Sequence, residues 1–419
     1  MFEMLVGVFC KNIYYLVKDV LLFTLIKNII YNIMKLNLSG ANNVRSIRMI
    51  TFKGMIYTKD CVFSPGVITI EGDKIKDVRL CDMTELTVKE QEQYLIPGLV
   101  DVHFHGSAGY DFCDGTAEAY REIEGYENRK GITTICPATM TLPVKEIQTI
   151  LKTAAECQVE SLRGIHLEGP FISTEKKGAQ KADYIIPADT KLLKELQKQA
   201  NGLIRLVSIA PETEGAIACI EELKDEFHFS IAHTMADYET TRMAFKAGAD
   251  HVTHLYNAMP VSTHREPSVL GAASDNEKVF VELICDGIHV HPSVVRNTFR
   301  IFGEDRVVLI SDSMRATGME DGNYTLGGQD VIVKGNLATL ADGTIAGSVT
   351  NLYDCMKKAV SMGISKEAAI KAATINPAKS IGIDDVVGSI EAGKQADIVF
   401  ADKDLNREIV MIGGMMIIE

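Results

Sequence analysis

Two histidines one residue apart, His103-Phe104-His105, close the largely apolar run Leu95-Ile96-Pro97-Gly98-Leu99-Val100-Asp101-Val102. Alternate side chains of a strand share a face, so both imidazoles point the same way and offer a pair of metal ligands. Alone, such a pair equally well caps a strand end with hydrogen bonds. What decides is whether other strands end in ligand-type side chains, and four more do: Glu168, His233, His254 and Asp312 each stand at or just past a buried run. Imidazole with carboxylate suits zinc or ferrous iron, and manganese less well. A bound divalent ion lowers the pKa of water and polarises a carbonyl, which is hydrolytic chemistry. Asp312 is placed to carry the proton such a reaction moves, although read by itself it is also a helix cap.

These side chains need a scaffold that brings many strand ends together. Buried strands are predicted near 99–105, 131–136, 162–168, 203–209, 227–233, 251–255, 279–285 and 306–311, with amphipathic helices between them over 117–129, 143–157, 190–199 and 237–247. Pro143 and Asp237 supply start signals for two of those helices. Eight strands in βα alternation predict an α/β chain folded as a (β/α)8 TIM-type barrel, with a doubly wound open sheet as the alternative. A barrel builds its active site at the carboxyl ends of its strands, where all six ligand-type residues fall. Short β-rich runs at 49–53, 66–71 and 75–80, and again at 388–390, 396–401 and 409–412, predict a small β-sandwich domain formed by both chain ends. The expected organisation is an atypical N-terminal extension over 1–45, a β-sandwich from 46–96 plus 385–419, and a barrel over 97–384. A glycine-rich segment, 323–340, reads as a hairpin that joins the small domain or covers the active face.

Composition narrows the partners. A net charge of −13 on 419 residues argues against nucleic acid and anionic membranes, since both require a basic footprint. Nine scattered cysteines with no Cys-x-x-Cys fit buried thiols in a reducing, cytoplasmic setting and disfavour a thiolate zinc site. All ten histidines lie between His103 and His291, which confines imidazole chemistry to the middle of the chain. In the extension, Val20–Ile26 is apolar but is bracketed by Lys18, Asp19 and Lys27, so no uncharged span of about 18 residues is available to cross a membrane. It reads as dispensable, with Met34 or Met49 as alternative starts, in preference to a membrane-surface helix.

The run Pro97-Gly98-Leu99-Val100-Asp101-Val102-His103-Phe104-His105 resembles the first-strand signature of the amidohydrolase superfamily. Further motifs narrow the likeness to its deacetylases of N-acetyl amino-sugar phosphates: His166-Leu167-Glu168-Gly169-Pro170-Phe171, Thr253-His254-Leu255-Tyr256-Asn257-Ala258-Met259-Pro260, Arg265-Glu266-Pro267, Asp286-Gly287-Ile288-His289 and Ser311-Asp312-Ser313. The resemblance runs from about Ile47 to the C-terminus. It implies a (β/α)8 barrel with a flanking β-sandwich, one or two divalent ions per chain, and hydrolysis of the acetamide of N-acetyl-D-glucosamine 6-phosphate. Glu168, His233 and His254 are implied as metal ligands. Because His103 and His105 are both retained, a second ion is expected on them, with Glu168 bridging. Asp312 is implied as base and then acid. Asn257, Ala258, Arg265 and His289 are implied as phosphate contacts, partly shared across a homodimer, while Asp286 and Ile345-Ala346-Gly347 are expected to line the sugar pocket.

One position departs from the pattern. After Lys176-Lys177-Gly178-Ala179, where the family usually places a histidine near the acetyl group, this chain has Gln180. Its amide still donates a hydrogen bond but does not titrate near neutral pH, which predicts a lower rate or a changed acyl-sugar preference. No lysine ends the fourth strand, so a carboxylated-lysine bridge is not indicated. The alternatives are another N-acyl amino sugar as substrate, such as N-acetylgalactosamine 6-phosphate, and a non-catalytic sugar-phosphate-binding relative.

Overall fold

The computed structural model describes residues 49–417. The expectation for residues 1–45 lies outside them. The fold is α/β. Six parallel strands form one sheet in the spatial order Val307–Ile310, Phe280–Ile284, His251–Val252, His228–Ile231, Ile204–Ile209 and Ile165–Glu168. Two more, Leu99–Asp101 and Ile132–Ile135, pair in parallel with each other. Backbone hydrogen bonds span both gaps between the two sheets. On one side His166 N donates to Pro137 O at 2.9 Å and Thr139 N to His166 O at 2.9 Å; on the other, Asp312 N donates to His103 O at 2.9 Å and His105 N to Ser313 O at 2.7 Å.

All eight predicted strands are present but shorter than their apolar runs. His103 and His105 follow the strand Leu99–Asp101 instead of ending it, and the sixth strand is only His251–Val252. The runs continue past the last ladder bond because the loops at that end are themselves buried. The helices Ala117–Arg129, Val144–Glu156, Thr190–Gln199 and Tyr238–Ala247 lie where the pattern places them. Local chemistry explains their starts. Asp237 accepts from Thr240 N, Asp189 from Lys191 N and Leu192 N, and Thr116 from Ala119 N, each satisfying donors that a helix leaves free in its first turn. Between helices and strands lies a large apolar core that includes Ile123, Leu151, Leu193, Ile220, Leu283 and Leu309. A second cluster, with Val100, Val102, Leu206, Ile284, Val308 and Ile310, occupies the opposite strand faces. The strands are therefore apolar on both sides, which accounts for their continuous runs.

Both chain ends contribute to one seven-stranded mixed sheet, in the order Met415–Ile417, Arg407–Ile412, Ile398–Ala401, Tyr94–Pro97, Met49–Tyr57, Phe63–Glu71, Lys74–Leu80. Residues 388–390 are not part of it. The glycine-rich segment forms a three-stranded antiparallel sheet, Gly322–Leu326, Gln329–Lys334 and Leu337–Thr339, and Leu326 from it reaches the site cavity, so it covers the active face. Among the described residues no helix is long and apolar enough to cross a membrane, and eight cysteines are unpaired.

Candidate metal centre

Glu168 ends its strand, and the other ligand-type side chains sit on the short turns that leave theirs. His233, His254 and Asp312 all have backbone in the left-handed region, with φ of 42°, 29° and 49°. Such conformations cost roughly 1–3 kcal/mol each in a residue with a Cβ, and they cluster where geometry serves function. Gly169 explains the turn after Glu168: its φ is +82°, and a Cβ there would meet Thr141 Oγ1 at 2.0 Å.

The turns converge on Glu168. Its Oε1 lies 3.1 Å from His233 Nε2, 3.3 Å from His254 Nε2 and 3.4 Å from His103 Nε2. Its Oε2 lies 3.4 Å from His105 Nε2, which is also 3.4 Å from Asp312 Oδ1. His103 Nε2 stands 3.7 Å from that same Asp312 oxygen. All four imidazoles thus present Nε2 to two carboxylates, and all six residues are buried.

Two features test whether a divalent ion fits. His233 and His254 bring their Nε2 atoms within 3.1 Å of each other, although neutral imidazoles gain at most one hydrogen bond from that approach. Ligand bonds of about 2.0–2.1 Å in a tetrahedral site put neighbouring donors roughly 3.3 Å apart, which is the spacing observed. In addition, His103 Nε2 is buried with no hydrogen-bond partner. Three groups of donors lie close enough to hold an ion: Glu168, His233 and His254; His103, His105 and Asp312; and His103, His166 and Glu282. The residues therefore fit a metal, and the imidazole and carboxylate donors suit zinc or iron.

Electrostatics agree. Burial opposes ionisation of Glu168, but the neighbouring His103 and hydrogen bonds from His233 and His254 hold its carboxyl well below the usual carboxylate range. Burial likewise opposes ionisation of Asp312, and the hydrogen bond from His105 with the charges of His103, His105 and His254 lowers it. His233 is held in one orientation through Nδ1, 2.8 Å from Lys176 O, which leaves Nε2 for the centre.

Above the centre opens a cavity of about 290 Å³. Of the predicted substrate contacts, Ala179, Gln180, Asn257, Ala258, His289, Ile345 and Gly347 line it. Ala346 is buried beside it, and Asp286 stands behind His289, with its Oδ2 2.6 Å from His289 Nδ1. Arg265 is exposed and does not line the cavity of its own chain. Gln180 is buried, donating to Glu168 Oε2 and accepting from Thr141 N. Met140, Lys176 and Thr344 also line the cavity and carried no ligand-type signal in the sequence. Sequence reasoning also missed Glu282, whose Oε2 lies 2.9 Å from His103 Nδ1. The available signal was a lone carboxylate inside the otherwise apolar strand Phe280–Ile284.

An α/β fold with imidazoles and carboxylates gathered at the carboxyl ends of parallel strands, around a site that fits a divalent ion, defines a metal-dependent hydrolase. The Amidohydrolase family matches residues 94–417, and the chain belongs to it. It is 38% identical over 365 residues to the N-acetylglucosamine-6-phosphate deacetylase of Bacillus subtilis, covering 83% of this chain and 92% of that one. It is 32% identical over 381 residues to the N-acetylgalactosamine-6-phosphate deacetylase of Escherichia coli O157:H7, covering 89% and 98%. The crystal structure of N-acetyl-D-glucosamine-6-phosphate deacetylase from Mycobacterium smegmatis superposes with a TM-score of 0.83 at 31% identity, covering 88% of this chain and all of that one.

Proposed function

We propose that this enzyme hydrolyses the acetamide of N-acetyl-D-glucosamine 6-phosphate, giving D-glucosamine 6-phosphate and acetate. The observation that carries the reading is the convergence of four Nε2 atoms, Glu168 and Asp312 at a cavity that Asn257, Ala258 and His289 also line. Glu168, His233 and His254 would hold one ion, and His103 and His105 a second, with zinc or iron the metals their donors suit. The bound metal supplies Lewis acidity toward the amide carbonyl and a water of lowered pKa. Asp312, ionised and facing the same space, accepts the proton that water loses on attacking the carbonyl carbon. It returns that proton to the amide nitrogen as the C–N bond breaks, so the amine leaves neutral. Burial disfavours the charged form of His289, but its hydrogen bond to Asp286 and the charges of Asp286 and Asp312 raise its pKa, so the protonated ring, held through Nδ1, would donate from Nε2 to a substrate oxygen.

The backbone hydrogen bonds across both sheet gaps support a closed (β/α)8 barrel over 97–384, and the seven-stranded sheet supports a small β-sandwich from 46–96 plus 385–419. The exposed position of Arg265, outside the cavity, supports a homodimer in which each chain's arginine completes its partner's phosphate site. Unpaired cysteines fit a cytoplasmic setting.

Release of free amine from N-acetylglucosamine 6-phosphate, measured with and without a chelator, tests the reading. Chelator-sensitive release is expected; no release, or release indifferent to chelation, overturns it. The likeness to the Escherichia coli galactosamine enzyme over 98% of its length favours a second reading, the C4 epimer as substrate. Comparison of kcat/KM for the two epimers decides between them.

A further inference from the structure

Glu282 lies beneath the metal centre, fully buried, on the strand Phe280–Ile284. Its Oε2 is 2.9 Å from His103 Nδ1 and accepts the backbone N–H of His254 at 3.0 Å. Its Oε1 faces His251 Nε2 at 3.4 Å and His166 Nδ1 at 4.0 Å. One carboxylate oxygen therefore anchors two residues of the cluster, one through its ring and the other through its backbone.

Both anchors have a consequence at the far side of the residue. An imidazole has one proton to place when neutral, and a carboxylate at Nδ1 draws it there. The lone pair of His103 is then on Nε2, the atom that faces Glu168 Oε1 and Asp312 Oδ1. His254 has a φ of 29°, and a fixed N–H acceptor holds the turn that aims its Nε2 at Glu168 and His233. His166 does not compete for this role. Its two ring nitrogens are taken up by Val102 O at 3.3 Å and Ser208 Oγ at 2.8 Å, so His103, His166 and Glu282 are not a ligand set of their own.

We propose that Glu282 is a positioning residue for the metal, fixing His103 as the Nδ1–H tautomer and thereby making its Nε2 a ligand. The proposal rests on the metal-dependent reading above. A carboxylate that orients a metal-bound imidazole raises metal affinity, and its removal typically costs about 10–100-fold.

The test is a double-mutant cycle read on zinc binding, with Glu282→Gln, His103→Ala and the double variant measured by competition against a chromophoric chelator and by metal analysis. Glutamine keeps the shape, but its NH2 confronts one of the two donors that Oε2 now serves. Glu282→Gln should weaken zinc about 10–100-fold in the wild-type background and cause only a much smaller further loss, from its hold on the His254 turn, once His103 is alanine. Equal losses in the two backgrounds, or unchanged zinc affinity with a lower melting temperature of the metal-free protein, overturn the proposal. A wild-type chain that binds no zinc removes the metal-dependent reading itself. If the wild type holds a single ion, the cycle is read on that ion, and the same losses support or overturn the proposal. Melting of every metal-free variant separates misfolding from a loss of ligand geometry.

Discussion

Gln180 Nε2 donates to Glu168 Oε2 at 2.6 Å, while Gln180 Oε1 accepts the backbone N–H of Thr141 at 2.7 Å. The glutamine that stands where the family usually has histidine is thus tied to the carboxylate at the centre of the cluster as well as lining the cavity. It holds one oxygen of Glu168 and leaves Oε1 to His233 and His254. Gln180→Ala should strand two buried polar atoms, a donor and an acceptor. The expected cost is about 1–3 kcal/mol of stability, together with weaker metal binding. Denaturant unfolding of the metal-free protein and chelator competition measure the two effects. Full retention of both would show that the contact is idle.

Asp312 is held by its backbone, donating to His103 O at 2.9 Å and accepting from Ser348 N at 2.6 Å, so substitution of its side chain leaves the turn in place. Asparagine has the same shape and cannot take up the proton. Asp312→Asn should lower kcat by about 10²–10⁴-fold with metal content unchanged. Loss of metal together with activity would make Asp312 a ligand and not the proton carrier.

The parallel strands and most of the converging ligand-type side chains were legible because each such residue ends or follows a buried apolar run, and such runs need no partner to be recognised. His103 and His105 were correctly paired although the strand ends at Asp101, since the turn preserves their common direction. Glu282 was not legible as part of the site. Period-2 alternation places it on the same face as Phe280 and Ile284, but only the meeting of distant strands shows that this face looks toward His103. The same limit applies to Asp286, read as a pocket residue and found behind His289. Sequence spacing identifies which residues share an element. Which elements face one another is decided by packing.

Arg265 is exposed and makes no ion pair among the described residues. If it completes a partner's phosphate site, Arg265→Ala should raise KM for the phosphorylated substrate about 10–100-fold and leave kcat nearly unchanged, because a bidentate arginine–phosphate contact is charge-assisted. Sedimentation should show a dimer for wild type and variant alike. A monomeric wild type with an unaltered KM in the variant would leave the arginine as a solvated charge.

Glu127 lies on the core-facing side of the helix Ala117–Arg129, 1% exposed, and neither of its carboxylate oxygens has a hydrogen-bond partner. Burial, and then repulsion from Asp101, push its carboxyl up to about 8 from an ordinary 4.5; Ser107 and Lys130 favour the ionised form without offsetting this. The folded chain therefore keeps a proton that the unfolded chain releases. Stability from this group is complete below pH 4.5, is lost as pH rises toward 8, and changes no further once both states are ionised. The steepest loss for one such group is about 1.4 kcal/mol per pH unit. Glu127→Gln has no proton to lose, so its stability should decline less between pH 5 and pH 8 and exceed that of the wild type at pH 8 by on the order of 4 kcal/mol. Asp397, raised by burial to about 6, contributes equally to both proteins and cancels in the comparison. Urea unfolding at pH 5, 6.5 and 8 reads the difference directly, and parallel pH profiles for the two proteins would show that Glu127 is already ionised in the folded chain.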